Sequence, residues 1–131
     1  MHWAEKIADR IIKRNPDKEE YVCAAGISPS GSIHIGNFRD IATSLFVAKA
    51  LVKKGKKARL LFSWDEYDRF RKVPANVKAV DPDNEFEKYP GLPYTSVPNP
   101  FNTEHENYAK YFEAEFMDSI RKFGIEMDYR Y

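Results

Sequence analysis

Apolar residues recur at helical spacing from Trp3 to Asn15, with Trp3, Ile7, Ile11 and Ile12 on one side, and Pro16 ends the pattern. A polar stretch, Asp17 to Glu20, leads into Tyr21-Val22-Cys23-Ala24-Ala25, a short β-prone run bounded by Gly26 that reads as a buried strand. Ile27 to Ser32 is a loop by its Pro, Gly and Ser content. Helical periodicity returns from about Ile35 to Lys54. Phe38, Ile41, Ala42, Leu45, Ala48 and Val52 are predicted to point inward, with Arg39 and Lys53 solvated. Gly55, flanked by Lys53, Lys54, Lys56 and Lys57, reads as a helix C-terminus, where a left-handed cap and cations both suit the negative end of the dipole. Ala58 to Trp64 is a second strand. Strand, loop, helix, turn and strand make a βαβ unit with parallel strands and a right-handed crossover.

The pattern then changes. Pro74, Pro82, Pro90, Pro93, Pro98 and Pro100 fall between Lys72 and Asn102, which excludes a long helix or a central strand there. So long a connection is expected to be a functional or a mobile loop. A third helix is predicted to open at Thr103-Glu104-His105-Glu106, which has capping-box spacing. Its apolar stripe is Tyr108, Phe112, Phe116, Ile120 and Phe123, and Gly124 closes it. Ile125 to Tyr131 alternates like a third strand.

Composition narrows the classes. The 131 residues amount to one domain, and 43% hydrophobic with 31% charged residues suits a globular chain with a real core. Lys and Arg number 21 against 20 Asp and Glu, a net charge of +1, so any nucleic-acid contact must come from a local patch. One Cys excludes an internal disulfide and leaves no Cys/His set with zinc-ligand spacing, so no metal site is assigned. No apolar run reaches the roughly 18 residues of a membrane span, and Met1 to Lys6 does not resemble a signal peptide; the expected location is cytoplasmic, away from membranes.

Candidate chemistry concentrates in Pro29-Ser30-Gly31-Ser32-Ile33-His34-Ile35-Gly36-Asn37, between the first strand and the second helix. A turn at the carboxyl end of a parallel strand is where open α/β sheets bind ligands, and the helix it starts offers N–H groups and a positive dipole end to phosphate. Gly31 and Gly36 would let a nucleotide lie against the backbone. His34 would donate to phosphate oxygens as charge builds at a reacting phosphorus. Taken alone, a His beside glycines is more often structural. The composite weighs against that reading: Pro, Ser, Gly, His, Gly and Asn at this spacing recur on the order of 10⁻⁸ per starting point under average residue usage.

This stretch resembles the "HIGH" signature of class I aminoacyl-tRNA synthetases, with Asn37 in place of the final His. Further blocks resemble class I lysyl-tRNA synthetase in particular: the opening Met1-His2-Trp3-Ala4 with Lys6-Ile7-Ala8, and the run Gly26-Ile27-Ser28-Pro29-Ser30-Gly31 continuing through Gly36-Asn37-Phe38-Arg39. Its most distinctive block is matched by Trp64-Asp65-Glu66-Tyr67-Asp68-Arg69-Phe70-Arg71-Lys72-Val73-Pro74, with Val97-Pro98 and His105-Glu106-x-Tyr108-Ala109 in addition. The resemblance implies an α/β fold, a partial Rossmann-like (HUP-type) parallel sheet with flanking helices and three strands. It also implies ATP-dependent activation of lysine to lysyl-adenylate, then transfer to lysine tRNA. In that scheme Ser28, Pro29, Ser30, Gly31, His34, Gly36 and Asn37 would hold ATP with its Mg2+, His34 and Asn37 would be the catalytic pair, and Gly26, Ser28 and Asp65 would meet lysine. No covalent enzyme intermediate is implied.

Other readings stay open at this point. Asp65 to Lys72 equally suits a solvated, mixed-charge helix start. Arg69, Arg71 and Lys72 would meet tRNA backbone near its acceptor end, or be surface charge with no partner. Cys23 is expected to act as a small buried hydrophobe, and His105 as solvated or structural. The family's proteins are several times longer and carry a "KMSKS"-type loop on a second half-domain; this sequence has no such run. The chain is therefore expected to be an N-terminal piece of the catalytic domain, binding substrates weakly on its own and prone to self-association through an exposed sheet edge. Two further functions compete: another nucleotidyltransferase with a His-x-Gly-His turn, against which the Trp64–Pro74 block argues, and a non-catalytic nucleotide- or tRNA-binding module.

Overall fold

The first helix, α1 (Trp3–Arg14), is closed at its start by His2, whose Nδ1 accepts the Ala4 amide proton at 3.2 Å while the Glu5 carboxylate accepts from the His2 amide at 3.1 Å. The computed structural model of the chain describes residues 1–32, 34–101 and 103–131; Ile33 of the motif and Asn102, the last residue of the proline-rich stretch, lie outside the described residues. Two compact units form. The first comprises residues 1–26, 34–63 and 126–130.

After α1 come β1 (Tyr21–Ile27), the 19-residue α2 (Ile35–Lys53), β2 (Ala58–Trp64) and, at the far end of the chain, β3 (Asp128–Arg130). The three strands form one parallel sheet in the order β1-β2-β3, with Leu61, Phe62 and Ser63 opposite Asp128, Tyr129 and Arg130. This is the partial Rossmann-like α/β arrangement expected from the βαβ pattern. Gly55 takes the left-handed conformation (φ 81°) that ends α2, and the Lys56 amide returns to the Leu51 carbonyl at 3.0 Å.

The core of this unit joins Ala4 and Ala8 of α1 to Tyr21 of β1 and to Val47, Ala50 and Leu51 of α2. Two inward faces differ from expectation. On α1 the alanines are buried and Trp3 and Ile7 exposed, because small side chains let the two helices approach closely. On α2 the buried set is Ile41, Val47, Ala48, Ala50 and Leu51, whereas Val52 is 55% exposed.

The second unit comprises residues 27–32, 64–101, 103–125 and 131. Its prolines permit neither a long helix nor a central strand between Lys72 and Phe101, yet the stretch is well structured. It forms a one-turn helix, α3 (Ala75–Lys78), and 3-10 turns at Glu85–Lys88 and Tyr94–Ser96. Asp81 is buried and caps the first of these turns, accepting from the Glu85 and Phe86 amides at 2.9 and 3.0 Å. Val73, Val77, Tyr94 and Val97 pack with Phe70 against Tyr108, Ala109 and Phe112 of α4 (Tyr108–Lys122), covered by Phe86, Tyr89 and Phe101. The order comes from this apolar burial rather than from regular backbone pairing.

α4 begins four residues later than its capping-box pattern suggests. Asn107 is the cap, its Oδ1 accepting from the Lys110 amide at 3.0 Å. The Thr103 hydroxyl is already engaged by Asn99 Nδ2, which also donates to the His105 carbonyl, so residues 103–105 close a loop instead of opening a helix. At the other end, Phe123 is 68% exposed and falls outside the buried stripe. Glu113, only 1% exposed, sits on α4 beside Glu66, and Lys110 Nζ bridges the two carboxylates at 3.3 and 3.2 Å.

Two expectations follow from this packing. Phe112→Ala removes a fully buried ring and should cost about 3–5 kcal/mol in urea unfolding of the chain. Burial, with the Glu66 carboxylate adding to it, pushes the Glu113 pKa up to about 7 from 4.5, against the opposing Lys110 charge. A carboxyl that holds its proton more tightly when folded stabilises the fold at low pH, and that contribution disappears as pH rises from about 4.5 through 7. Urea midpoints should therefore fall across this window in the wild type, and Glu113→Gln should flatten the slope.

Candidate nucleotide-binding site

α2 starts where it does because His34 stops the preceding backbone in an extended conformation (φ −135°, ψ 173°) and caps the helix with its ring. Nδ1 accepts the Gly36 amide proton at 3.1 Å, and Asn37 Oδ1 accepts from the His34 amide at 3.1 Å. In the neutral ring Nδ1 is then the acceptor and Nε2 carries the proton. Nε2 has no protein partner among the described residues, and the ring is exposed. The helix thus presents a single N–H donor on an imidazole at its positive end. The imidazole thus occupies the Gly36 amide, one of the N–H groups at the start of the helix.

His2 caps α1 in the same way. Capping alone therefore does not separate the two histidines. Gly36 does: a Cβ there would lie 3.0 Å from both Cε1 and Nδ1 of His34, so the ring's position depends on the missing side chain. Asn37 is the reciprocal cap, a structural task that needs its carbonyl oxygen and no second imidazole.

Gly26, in the same unit, has a different reason to be glycine. An added Cβ would stand 2.8 Å from the Ser63 carbonyl oxygen, so the backbones of β1 and β2 approach too closely for any side chain. Its expected contact with lysine is thus joined by a demand of the sheet itself.

The remaining motif residues belong to the second unit. The Ser30 amide donates to the Ser28 carbonyl at 2.8 Å, forming a tight turn around Pro29, which is fully buried. Two residues far along the chain hold this turn: the Tyr108 hydroxyl donates to the Ser30 carbonyl at 2.6 Å, and Asn76 Nδ2 donates to Ser32 Oγ at 3.1 Å. Burial, with Tyr94 beside it, raises the Tyr108 pKa well above the usual phenol, so Tyr108 stays a donor. Periodicity assigned Tyr108 to a core stripe, and nothing in the sequence pattern marked Asn76. Among the described residues the Gly31 Cβ position meets only Pro74, at 3.6 Å, so their packing does not impose a glycine here.

The block after β2 begins with the Asp65 amide donating to the Ile27 carbonyl at 3.0 Å. The Asp65 side chain is exposed and does not line the cleft beside Ser28. The carboxylate that reaches this turn is Asp68, whose Oδ2 accepts the Ser28 hydroxyl proton. No group of three or more His, Cys, Asp or Glu side chains able to hold a metal ion occurs among the described residues, and none of their helices is long and apolar enough to cross a membrane.

Residues 1–131, the whole chain, match the sequence profile of the tRNA synthetases class I (K). The chain belongs to this family. Among curated proteins it is similar to lysine--tRNA ligases: 46% identical to that of Pyrococcus horikoshii and 46% to that of Treponema pallidum, in each case over 100% of this chain and 24% of the relative. The Streptomyces coelicolor protein is 43% identical over 96% of the chain and 22% of its own length. This class I synthetase chain spans about a quarter of the length of the curated relatives it matches.

Glycine substitutions separate the roles. Gly26→Ala should cost roughly 1–3 kcal/mol in urea unfolding through overpacking. Gly31→Ala should stay within about 0.5 kcal/mol of wild type. Gly36→Ala should leave the sheet intact and shift the His34 ring resonances in NMR spectra.

Proposed function

We propose that this segment supplies the phosphate-binding and part of the amino-acid-binding surface of an enzyme that activates lysine with ATP and transfers it to lysine tRNA. The observation that carries the reading is the His34 ring, held by Gly36 and Asn37 so that its Nε2–H is the free donor at the N-terminus of a long helix.

In the first step a lysine carboxylate oxygen attacks the α-phosphorus of ATP. The new P–O bond gives lysyl-adenylate, and the bond to the β-phosphate oxygen breaks to release pyrophosphate. Negative charge grows on the phosphate oxygens, and His34 Nε2–H with the α2 dipole stabilises it without giving up a proton. Asn37 contributes by fixing the ring. In this reading the Ser28–Gly31 turn takes part in binding the nucleotide and Gly26 and Ser28 in binding the amino acid, with Asp65 left out because its side chain does not reach the cleft beside Ser28. Mg2+ enters bound to the triphosphate, as part of the substrate. In the second step a 3′-terminal ribose hydroxyl of the tRNA attacks the adenylate carbonyl and AMP leaves. The chemistry is positioning and electrostatics, with no covalent bond to the enzyme. A reaction that consumes tRNA and feeds protein synthesis belongs in the cytoplasm.

Calorimetry of the chain with MgATP should give measurable binding that His34→Ala weakens roughly tenfold, the scale of one lost hydrogen bond to a charged group. In the full-length protein, lysine should drive exchange of pyrophosphate into ATP, and His34→Ala should abolish it. Exchange driven by CTP, or ATP binding with no exchange under any amino acid, would replace this reading.

A further inference from the structure

In the first unit, α1 carries its acids and its cations on different sides. Glu5 and Asp9 lie on the flank toward α2 and are used there: Glu5 Oε1 is 3.3 Å from Lys53 Nζ, and Asp9 Oδ1 is 2.9 Å from Lys54 Nζ. Lys6, Arg10, Lys13 and Arg14 are exposed, and none of the four meets a carboxylate among the described residues. Asp9, one turn before Lys13 and placed to pair with it, is taken by Lys54. At 3.6 residues per turn these four cations, with Trp3 and Ile7, occupy about 120° of the helix circumference with no acid among them. Ala4 and Ala8 hold the opposite, buried side. A chain of net charge +1 thus concentrates unpaired positive charge on one helix face.

Lys6, Arg10 and Arg14 form an i, i+4, i+8 row, so their stems leave the helix about 6 Å apart along its axis. Charge repeated at regular steps is what one strand of a nucleic acid presents. The apolar part of the face is small. Trp3 and Ile7 are 42% and 37% exposed, and Ile11, the next residue of their row, packs against the core. Trp3 is held by His2 and Phe46 at ring-centroid distances of 5.3 and 6.3 Å. Two half-exposed side chains at one end do not make the apolar centre of a protein interface, whereas a backbone contact needs none. We propose that the outer face of α1 holds the phosphate backbone of an RNA helix, without reading its sequence or its 3′ end. Lys6, Arg10 and Arg14 each take a phosphate, Lys13 adds to the field, and Trp3 marks the end of the row. The surface is separate from the α2 start and from every residue assigned to ATP or lysine. The choice of RNA as the polyanion rests on the ligase reading, under which a structured RNA is a substrate; the cation row stands on the structure alone.

The test is a fluorescence titration of the chain with a blunt RNA hairpin of one helical turn whose 3′ end is blocked. Trp64 is buried, so a change in tryptophan emission reports on Trp3. Wild type should bind the hairpin, with affinity falling as salt rises. Replacing Lys6, Arg10 and Arg14 together by Gln should lower the slope of log K against log salt by about 2 and weaken binding at least tenfold at low salt. Lys6→Gln, Arg10→Gln and Arg14→Gln singly should each remove a share of that slope, which keeps the proposal testable should the triple variant unfold; circular dichroism checks folding. Lys56→Gln takes a cation from elsewhere on the same unit and should leave the slope as it is. An unchanged slope and affinity in the triple variant overturn the proposal. Polyglutamate of equal charge displacing the hairpin as well as RNA does overturns it in favour of an acidic protein segment. Vesicles of phosphatidylglycerol that shift Trp3 emission where the hairpin does not overturn it in favour of a lipid surface. Lysine-driven pyrophosphate exchange by the full-length wild type, with lysine tRNA saturating, reports separately on the ligase reading: exchange without hairpin binding sinks this proposal alone, and hairpin binding without exchange sinks that reading alone.

Discussion

One hydrogen bond organises the first unit's chemistry: the Gly36 amide gives its proton to the imidazole that precedes it. That bond fixes where α2 begins, chooses the tautomer of His34 and so determines which ring nitrogen faces outward with a proton. Each consequence depends on position 36 having no side chain. A conventional serine cap would satisfy the helix equally well, but its O–H rotates freely and is not held outward as the Nε2–H of the ring is. On the proposed reading one residue meets both the local requirement of the helix and that of phosphate chemistry, which would account for a bulky ring at a position usually given to a small hydroxyl.

The second unit works on a different constraint. Proline-rich chain cannot satisfy its backbone by long ladders, so side chains take over: Asp81 caps a 3-10 turn, Asn99 closes a loop, and Tyr108 and Asn76 reach the Ser28–Ser32 turn. Aromatic rings supply the packing, with Phe70, Tyr94 and Tyr108 meeting at centroid distances of 5.3–6.0 Å. The turn that carries half of the motif is therefore held by residues 40 to 80 positions away.

Long periodic elements were readable from the sequence. Both strands of the βαβ unit, its helix α2 and the preceding α1 lie where periodicity puts them, and the His34–Asn37 segment does open α2. Failures occurred where tertiary contacts outweigh local pattern. Trp3 and Ile7 of α1 are exposed, whereas Ala4 and Ala8 face the core with Ile11 and Ile12 packed against it, since helix contact rewards closeness as well as bulk. The Thr103 and Glu106 spacing imitates a helix start, but the Thr103 hydroxyl is taken by Asn99. For the candidate site, the glycines and His34 were visible in the motif. Asp68 as Ser28's partner was not, because Asp65 and Asp68 look alike in sequence and only the fold shows which one arrives.

The distance in sequence between the Ser28 turn and its supports bears on protein engineering. Residues 26–37 look like a cassette, a portable loop to be exchanged with that of a relative to change substrate. Transplanted alone, it would leave behind the carboxylate, phenol and amide that shape it, and the host would receive a floppy turn with unpaired carbonyls. The unit of exchange is a spatial set drawn from residues 28 to 108, so recombination between relatives should succeed only when crossovers keep that set together.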